Sequence, residues 1–277
     1  MPFDVAMTTF GRLAVALAAG GAFAFGARRA GLLTRAASRW AGALGAGIVG
    51  LGGATWTAPV LVFFGTSAGL SRLEARGMAR EVDDGPRDAR QVGANGGVAG
   101  ALLGAVALGV VPAALCFWGF VGAFAAAAAD TWATEVGRRF GGAPFSLRAG
   151  RRVEAGASGA VSSVGTLAAA GGALAVSASA GLGAGEALLP PGVGTVRAVI
   201  GTAGAGLLGA FTDSLAGAFL QARCRPAKTG RPVEAPRPPA GARNRRVQGL
   251  PFLTNDGVNV LCTAVGAAAA MIGVSVL

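Results

Sequence analysis

Apolar residues gather in long runs, at about 9–27, 40–70, 93–111, 113–136, 158–181, 196–222 and 252–276, with polar or Arg-rich stretches between them. A helix that crosses a bilayer needs about 20 residues, and most of these runs have that length. The run 40–70 is too long for one crossing and short for two. Gly52-Gly53 and Pro59 lie near its middle and suit a break. It reads either as two short crossings or as a re-entrant pair. The pattern predicts an all-α polytopic transmembrane helix bundle of about seven to eight hydrophobic passes, forming a single membrane domain over 1–277.

Composition narrows the classes further. The chain is 53% hydrophobic with a mean hydropathy of +0.57, and only 13% of it is charged. Soluble domains carry about 25% charged residues, and disordered chains are poor in apolar ones. Tyr is absent and aromatics are 6%, against the aromatic girdles and strict alternation of membrane barrels. Helices are the remaining way to satisfy every backbone group in lipid. Arg12 precedes the first run, which is read as a membrane helix rather than a signal peptide.

Net charge is +11, and the arginines sit in the loops. That is the positive-inside pattern of a membrane protein rather than a nucleic-acid surface. Segment 28–39 has four Arg and no acid, 138–154 has five Arg against Glu154, and 223–246 has seven Arg and Lys228 against Glu234. All three are assigned to the cytoplasm. The balanced segment 71–92 decides nothing. The Val111-Pro112 turn and 182–195, with Glu186 alone, suit the far side. These sides agree if 40–70 crosses twice, which leaves both termini outside; a re-entrant 40–70 serves equally well. The stretch 223–250 is a Pro/Arg-rich cytoplasmic loop; Pro226, Pro232, Pro236, Pro238 and Pro239 preclude a regular helix. It serves as a tether or as a lid. A bacterial inner membrane is the expected location.

Several chemistries are excluded. The chain has no His, and Cys116, Cys224 and Cys262 are scattered, so there is no thiolate–imidazole zinc site and no His base. No P-loop motif occurs. Gly204–Gly209 matches GxGxxG but follows no strand. Gly93/Gly97 and Gly100/Gly104 signal tight helix packing.

The informative residues are acids and amides inside or beside apolar runs: Asp130 and Glu135 close the fourth, Asp213 lies within the sixth, Asn255 and Asp256 open the last, and Asn95 opens the third. A carboxylate at a helix centre costs about 2.5–3.5 kcal/mol on insertion scales, so it survives by facing a partner or a polar cavity. Bland roles compete. Asp213 could make a structural bond, Asn255 and Asp256 could cap a helix, and Glu135 could pair with Arg138 or Arg139. Yet the topology gathers these groups near one end, with Asp213 about 15 Å deep, beside the arginines of 138–154. Carboxylates, amides and Arg suit Mg²⁺ with a polyphosphate. The same acids could carry protons or cations in a transporter.

Asp130-Thr131-Trp132-Ala133-Thr134-Glu135-Val136-Gly137 resembles D-T-[WL]-A-[ST]-E-[IVL]-G, a motif of the membrane family that includes plant and cyanobacterial phytyl-phosphate kinase and animal transmembrane protein 19. In order along the chain, Gly42–Ala46, Arg90–Gly96, Val153–Ser162, Asp213–Ala218 and Asn255–Asn259 resemble further motifs of that family. Two departures stand out: Glu154 replaces Pro and Ala157 replaces Thr. The resemblance implies phosphorylation of an isoprenoid monophosphate by a nucleoside triphosphate, CTP in the plant pathway. Asp130 and Glu135 are then the expected catalytic pair and hold Mg²⁺, with Asp213 and Asp256 as further ligands. Asn95, Thr131, Thr134, Arg138, Arg139, Arg152, Ser158, Ser214, Asn255 and Asn259 are expected to bind nucleotide and substrate. The rival expectation is a transporter or lipid-phosphate carrier built on the same acids.

Overall fold

The computed structural model describes residues 9–77, 85–225 and 245–276. They form eight α-helices: α1 (Thr9–Arg29), α2 (Arg35–Gly47), α3 (Gly53–Gly77), α4 (Ala89–Ala107), α5 (Ala113–Phe140), α6 (Ser163–Gly183), α7 (Thr195–Phe219) and α8 (Asn255–Val276). The protein is an all-α polytopic bundle. Among the described residues six stretches are long and apolar enough to cross a membrane: α1, the 38-residue stretch Arg35–Arg72, α5, α6, α7 and α8. Helix α4 is not among them, because Arg90, Gln91 and Asn95 occupy its first two turns.

The long stretch does not run straight. A π-helical turn, Ile48–Gly52, follows α2, and Gly53 then takes φ 65°. That left-handed conformation is open to glycine at little cost, and the chain reverses there. Arg72 Nη2 donates to Ala30 O at 3.4 Å, so the end of α3 returns beside the start of α2. At the opposite end Thr55 Oγ1, just past the bend, donates to Gly183 O at 3.2 Å. The stretch therefore traverses the bundle twice, one of the two readings that the loop charges allow. Pro59, expected near the break, lies inside α3.

Side-chain caps set three helix starts at the Arg-rich end. Thr34 accepts from Ala37 N at α2, Ser162 from Gly165 N at α6, and Asp88 and Gln91 form a capping box at α4. Beside Asp88, the 85–88 segment is bound to 32–34: Arg87 N donates to Leu32 O and Thr34 N to Arg87 O, both at 3.0 Å.

Helix α5 is the central post. Its residues Cys116–Ala129 are all buried, as expected for a helix that is apolar on every face. Small residues let neighbours approach its backbone. A methyl added to Gly172 of α6 would stand 2.9 Å from Ala128 O. Gly206 of α7 meets Ala125 in the same way. On the α3 side the contact is aromatic, with Trp56 edge-on to Phe117 and Phe120 and Phe63 against Phe124.

Short strands add what the apolar pattern did not foresee. Between α5 and α6, β1 (Phe145–Ser146), β2 (Arg151–Arg152) and β3 (Ala160–Val161) pair antiparallel in the order β2-β1-β3. After α7, β4 (Arg223–Arg225) pairs with β5 (Arg245–Gln248). The middle of the Pro/Arg-rich loop, 226–244, lies outside the described residues.

Candidate active site

At the Arg-rich end the helices part around a polar cavity of about 900 Å³. Helix α5 supplies Asp130, Thr131, Thr134, Glu135 and Arg138 to its wall. Residues three or four apart share a helix face, and these five fall within a sector of about 140° at 100° per residue, so one side of α5 presents both acids, two hydroxyls and a cation. Helix α4 adds Asn95, α7 adds Asp213 and Ser214, α8 adds Asn255 and Asn259, and the loop before α6 adds Ser158. Eleven expected residues, from five parts of the chain, thus line one space.

Glu135 is half-buried. Its Oε1 accepts from Ser71 Oγ of α3 at 2.8 Å, and its Oε2 is buried with no hydrogen-bond partner. Thr131 Oγ1 is bonded back to Ala127 O at 2.8 Å. Across the cavity Ser158 Oγ donates to Gln221 Oε1 at 2.9 Å, and Gln221 Nε2 reaches Asn255 Oδ1 at 3.5 Å. Arg223 Nη2 donates to Ser158 O at 2.6 Å. This chain of bonds ties the loop before α6 to the end of α7 and the start of α8. Ala157, one of the two departures from the family motif, lies on the cavity wall, while Glu154 is exposed and away from it.

Three expected residues lie elsewhere. Arg139 sits over the Phe140 ring, 5.3 Å from its centroid. Arg152 is exposed on β2 and donates to Ala143 O at 2.8 Å. Asp256 neighbours Asp88 and Arg90 near the start of α4 rather than the cavity wall. The four acids therefore do not form one cage, and no group of three acids or thiols among the described residues is placed to hold a metal ion.

Other residues enter that the linear pattern did not mark, chiefly Arg87, Gln221 and Ser71. Arg87 sat in a segment of balanced charge, and only its backbone bonds to 32–34 bring it to the cavity. Burial pulls its guanidinium below its ordinary value, while the charges of Glu135 and Asp130 push it back up. It stays a cation, since arginine has so high a starting value. Gln221 is 1% exposed; the only signal for it was its place at the end of an apolar run.

A second, apolar cavity of about 230 Å³ lies between α1, α2, α3, α4 and α5. It shares Phe64, Arg87, Gln91 and Asn95 with the polar one.

No curated protein and no solved structure matches the chain. Residues 18–267 match the integral membrane protein family DUF92, and the chain belongs to that family.

Proposed function

We propose that the protein is a prenyl-monophosphate kinase that makes the diphosphate from a nucleoside triphosphate at the cytoplasmic membrane face. One observation carries this reading: a large polar cavity at the end of a membrane bundle, in which Asp130 and Glu135 face Arg87 and Arg138. Buried acids alone suit a cation path. Acids set among arginines, amides and hydroxyls suit a charged phosphate chain with its metal.

In this reaction an oxygen of the acceptor monophosphate attacks the terminal phosphorus of the donor. The bond from that phosphorus to the bridging oxygen breaks, and the nucleoside diphosphate leaves with the electron pair. A phosphate monoester has its second pKa near about 6 and is largely dianionic at neutral pH, so no His base is needed. Positioning and charge neutralisation supply most of the catalysis. Arg87 and Arg138 would neutralise phosphate oxygens, and Asn95, Asn255 and Asn259 would orient them.

The residues present fit Mg²⁺. It takes one or two carboxylates completed by phosphate oxygens and water, and Glu135 offers an unbonded buried oxygen with Asp130 five residues earlier on the same helix. Bound there, the ion would neutralise charge on the donor phosphates. CTP is the donor that the family resemblance suggests.

The test uses protein in detergent with lipid, Mg²⁺, phytyl or farnesyl monophosphate, and each labelled nucleoside triphosphate in turn. Prenyl diphosphate should form with at least one donor and vanish in Asp130→Asn. Folded protein that makes no product with any donor overturns the reading and turns attention to a carrier that uses Asp213.

A further inference from the structure

The apolar cavity has a shape and a neighbour that together define an occupant. Its lining runs from Leu33, just before α2, along that helix to Val49 in the π-helical turn, roughly 24 Å at the helical rise. Phe63 and Val60 of α3 and Phe124 of α5 wall its deep side. Gly96 of α4, also on the wall, lets Leu44 pack against that helix, since a methyl there would come within 2.7 Å of Leu44 Cδ2. Leu61, also on the wall, is 54% exposed on α3, so this side of the groove borders the lipid. At its polar end stands Arg87, which also lines the polar cavity.

A narrow apolar groove that meets a polar cavity at a half-buried arginine matches a molecule with one hydrocarbon chain and one anionic head. We infer that this groove holds the hydrocarbon tail of the acceptor, that Arg87 binds its phosphate at the border, and that the Val49 end limits tail length. The inference rests on the kinase reading for the identity of the head group, and on the groove itself for the tail. Because the groove borders the lipid at Leu61, the acceptor would enter from the bilayer, while the water-soluble donor would enter the polar cavity from its own end.

Two readouts separate this inference from the kinase reading. The first is ligand-induced thermal stabilisation, which reports binding without turnover. Wild-type protein should be stabilised more by farnesyl monophosphate than by farnesol. Arg87→Gln should reduce that preference about tenfold in apparent affinity while leaving farnesol binding unchanged. The second is chain-length dependence with geranyl, farnesyl and geranylgeranyl monophosphates. Val49→Phe fills the deep end and should weaken geranylgeranyl binding at least about tenfold, the apolar contact of an excluded isoprene unit being lost, with geranyl binding within twofold of wild type. Leu61→Phe adds bulk from the opposite, lipid-exposed wall and should shift the preference in the same direction. It provides the test if Val49→Phe fails to fold.

If folded variants keep the wild-type chain-length profile, the tail is elsewhere and the inference falls, even if the kinase assay succeeds. Equal binding of farnesol and farnesyl monophosphate by wild-type protein overturns the role of Arg87. If the binding profile shifts as stated but no donor gives product, the groove assignment stands and the kinase reading falls.

Discussion

Gly266 on α8 and Gly122 on α5 meet at the centre of the bundle, and a single methyl measures how tightly. A Cβ on Gly266 would stand 2.6 Å from Gly122 O and 2.6 Å from Ala126 Cβ. Neither neighbour can rotate away, since one is helix backbone and the other is fixed to it. Helix α5 has little room to retreat, because Cys116–Ala129 are buried against other helices. Overpacking of this kind costs about 1–3 kcal/mol. At about 2–4 °C per kcal/mol for a chain of this size, Gly266→Ala should lower the unfolding temperature by about 2–12 °C. Gly273, two turns on in the same helix, has nothing within 4 Å of an added Cβ. There Ala should be neutral or stabilising by up to about 1 kcal/mol through helix propensity. Both variants and wild type would be heated at one scan rate in one lipid–detergent mixture. Helix contact at Gly266 is refuted if Gly266→Ala unfolds at the wild-type temperature, or if Gly273→Ala loses as much.

In the kinase assay, Glu135→Gln should reduce turnover at least about a hundredfold, because it removes a carboxylate assigned to electrostatic stabilisation; retained turnover with normal folding would remove that role. Ser71→Ala deletes one hydrogen bond to a carboxylate, worth about 1.5–3 kcal/mol, and should lower kcat/KM by about 10- to 150-fold. Combined with Glu135→Gln it should add little, and additive effects in that double-mutant cycle would show that Ser71 does not act through Glu135. Gln221→Ala breaks the link between Ser158 and Asn255 inside the protein and should destabilise the fold by about 1–3 kcal/mol, read as an earlier thermal transition; an unchanged transition would mean that the link does not hold the loop.

The number and direction of the helices were legible because lipid leaves the chain few options. The Arg-rich segments 28–39 and 138–154 and the uncharged Val111-Pro112 turn left 40–70 either two crossings or a re-entrant pair, and the bend at Gly53 gives two traverses. The acids were legible because Asp130 and Asp213 have no business in apolar runs unless they face something polar. What linear order could not give was azimuth. Each helical residue turns by about 100°, so Asn255 and Asn259 line the cavity while Asp256, one step from Asn255, neighbours α4. Arg138 and Arg139 part in the same way. The three two-residue strands are backbone pairings too short to leave a side-chain period. Arg87 was hidden because its place depends on bonds to residues more than fifty positions away.

The burial of α5 also sets a schedule for making the protein. Its last residue, Phe140, precedes Asn255 by 115 positions, and α8 is one of the walls that enclose it. At about 5–20 residues per second, the ribosome takes roughly 6–23 s to cover that distance. For that interval the most enclosed helix of the finished molecule has its α8 face covered by lipid or by the insertion machinery, with Gly122 and Ala126 awaiting Gly266. A chain that stops before α8 would keep that face open, so the last helix completes the packing of the central one as well as a wall of the site.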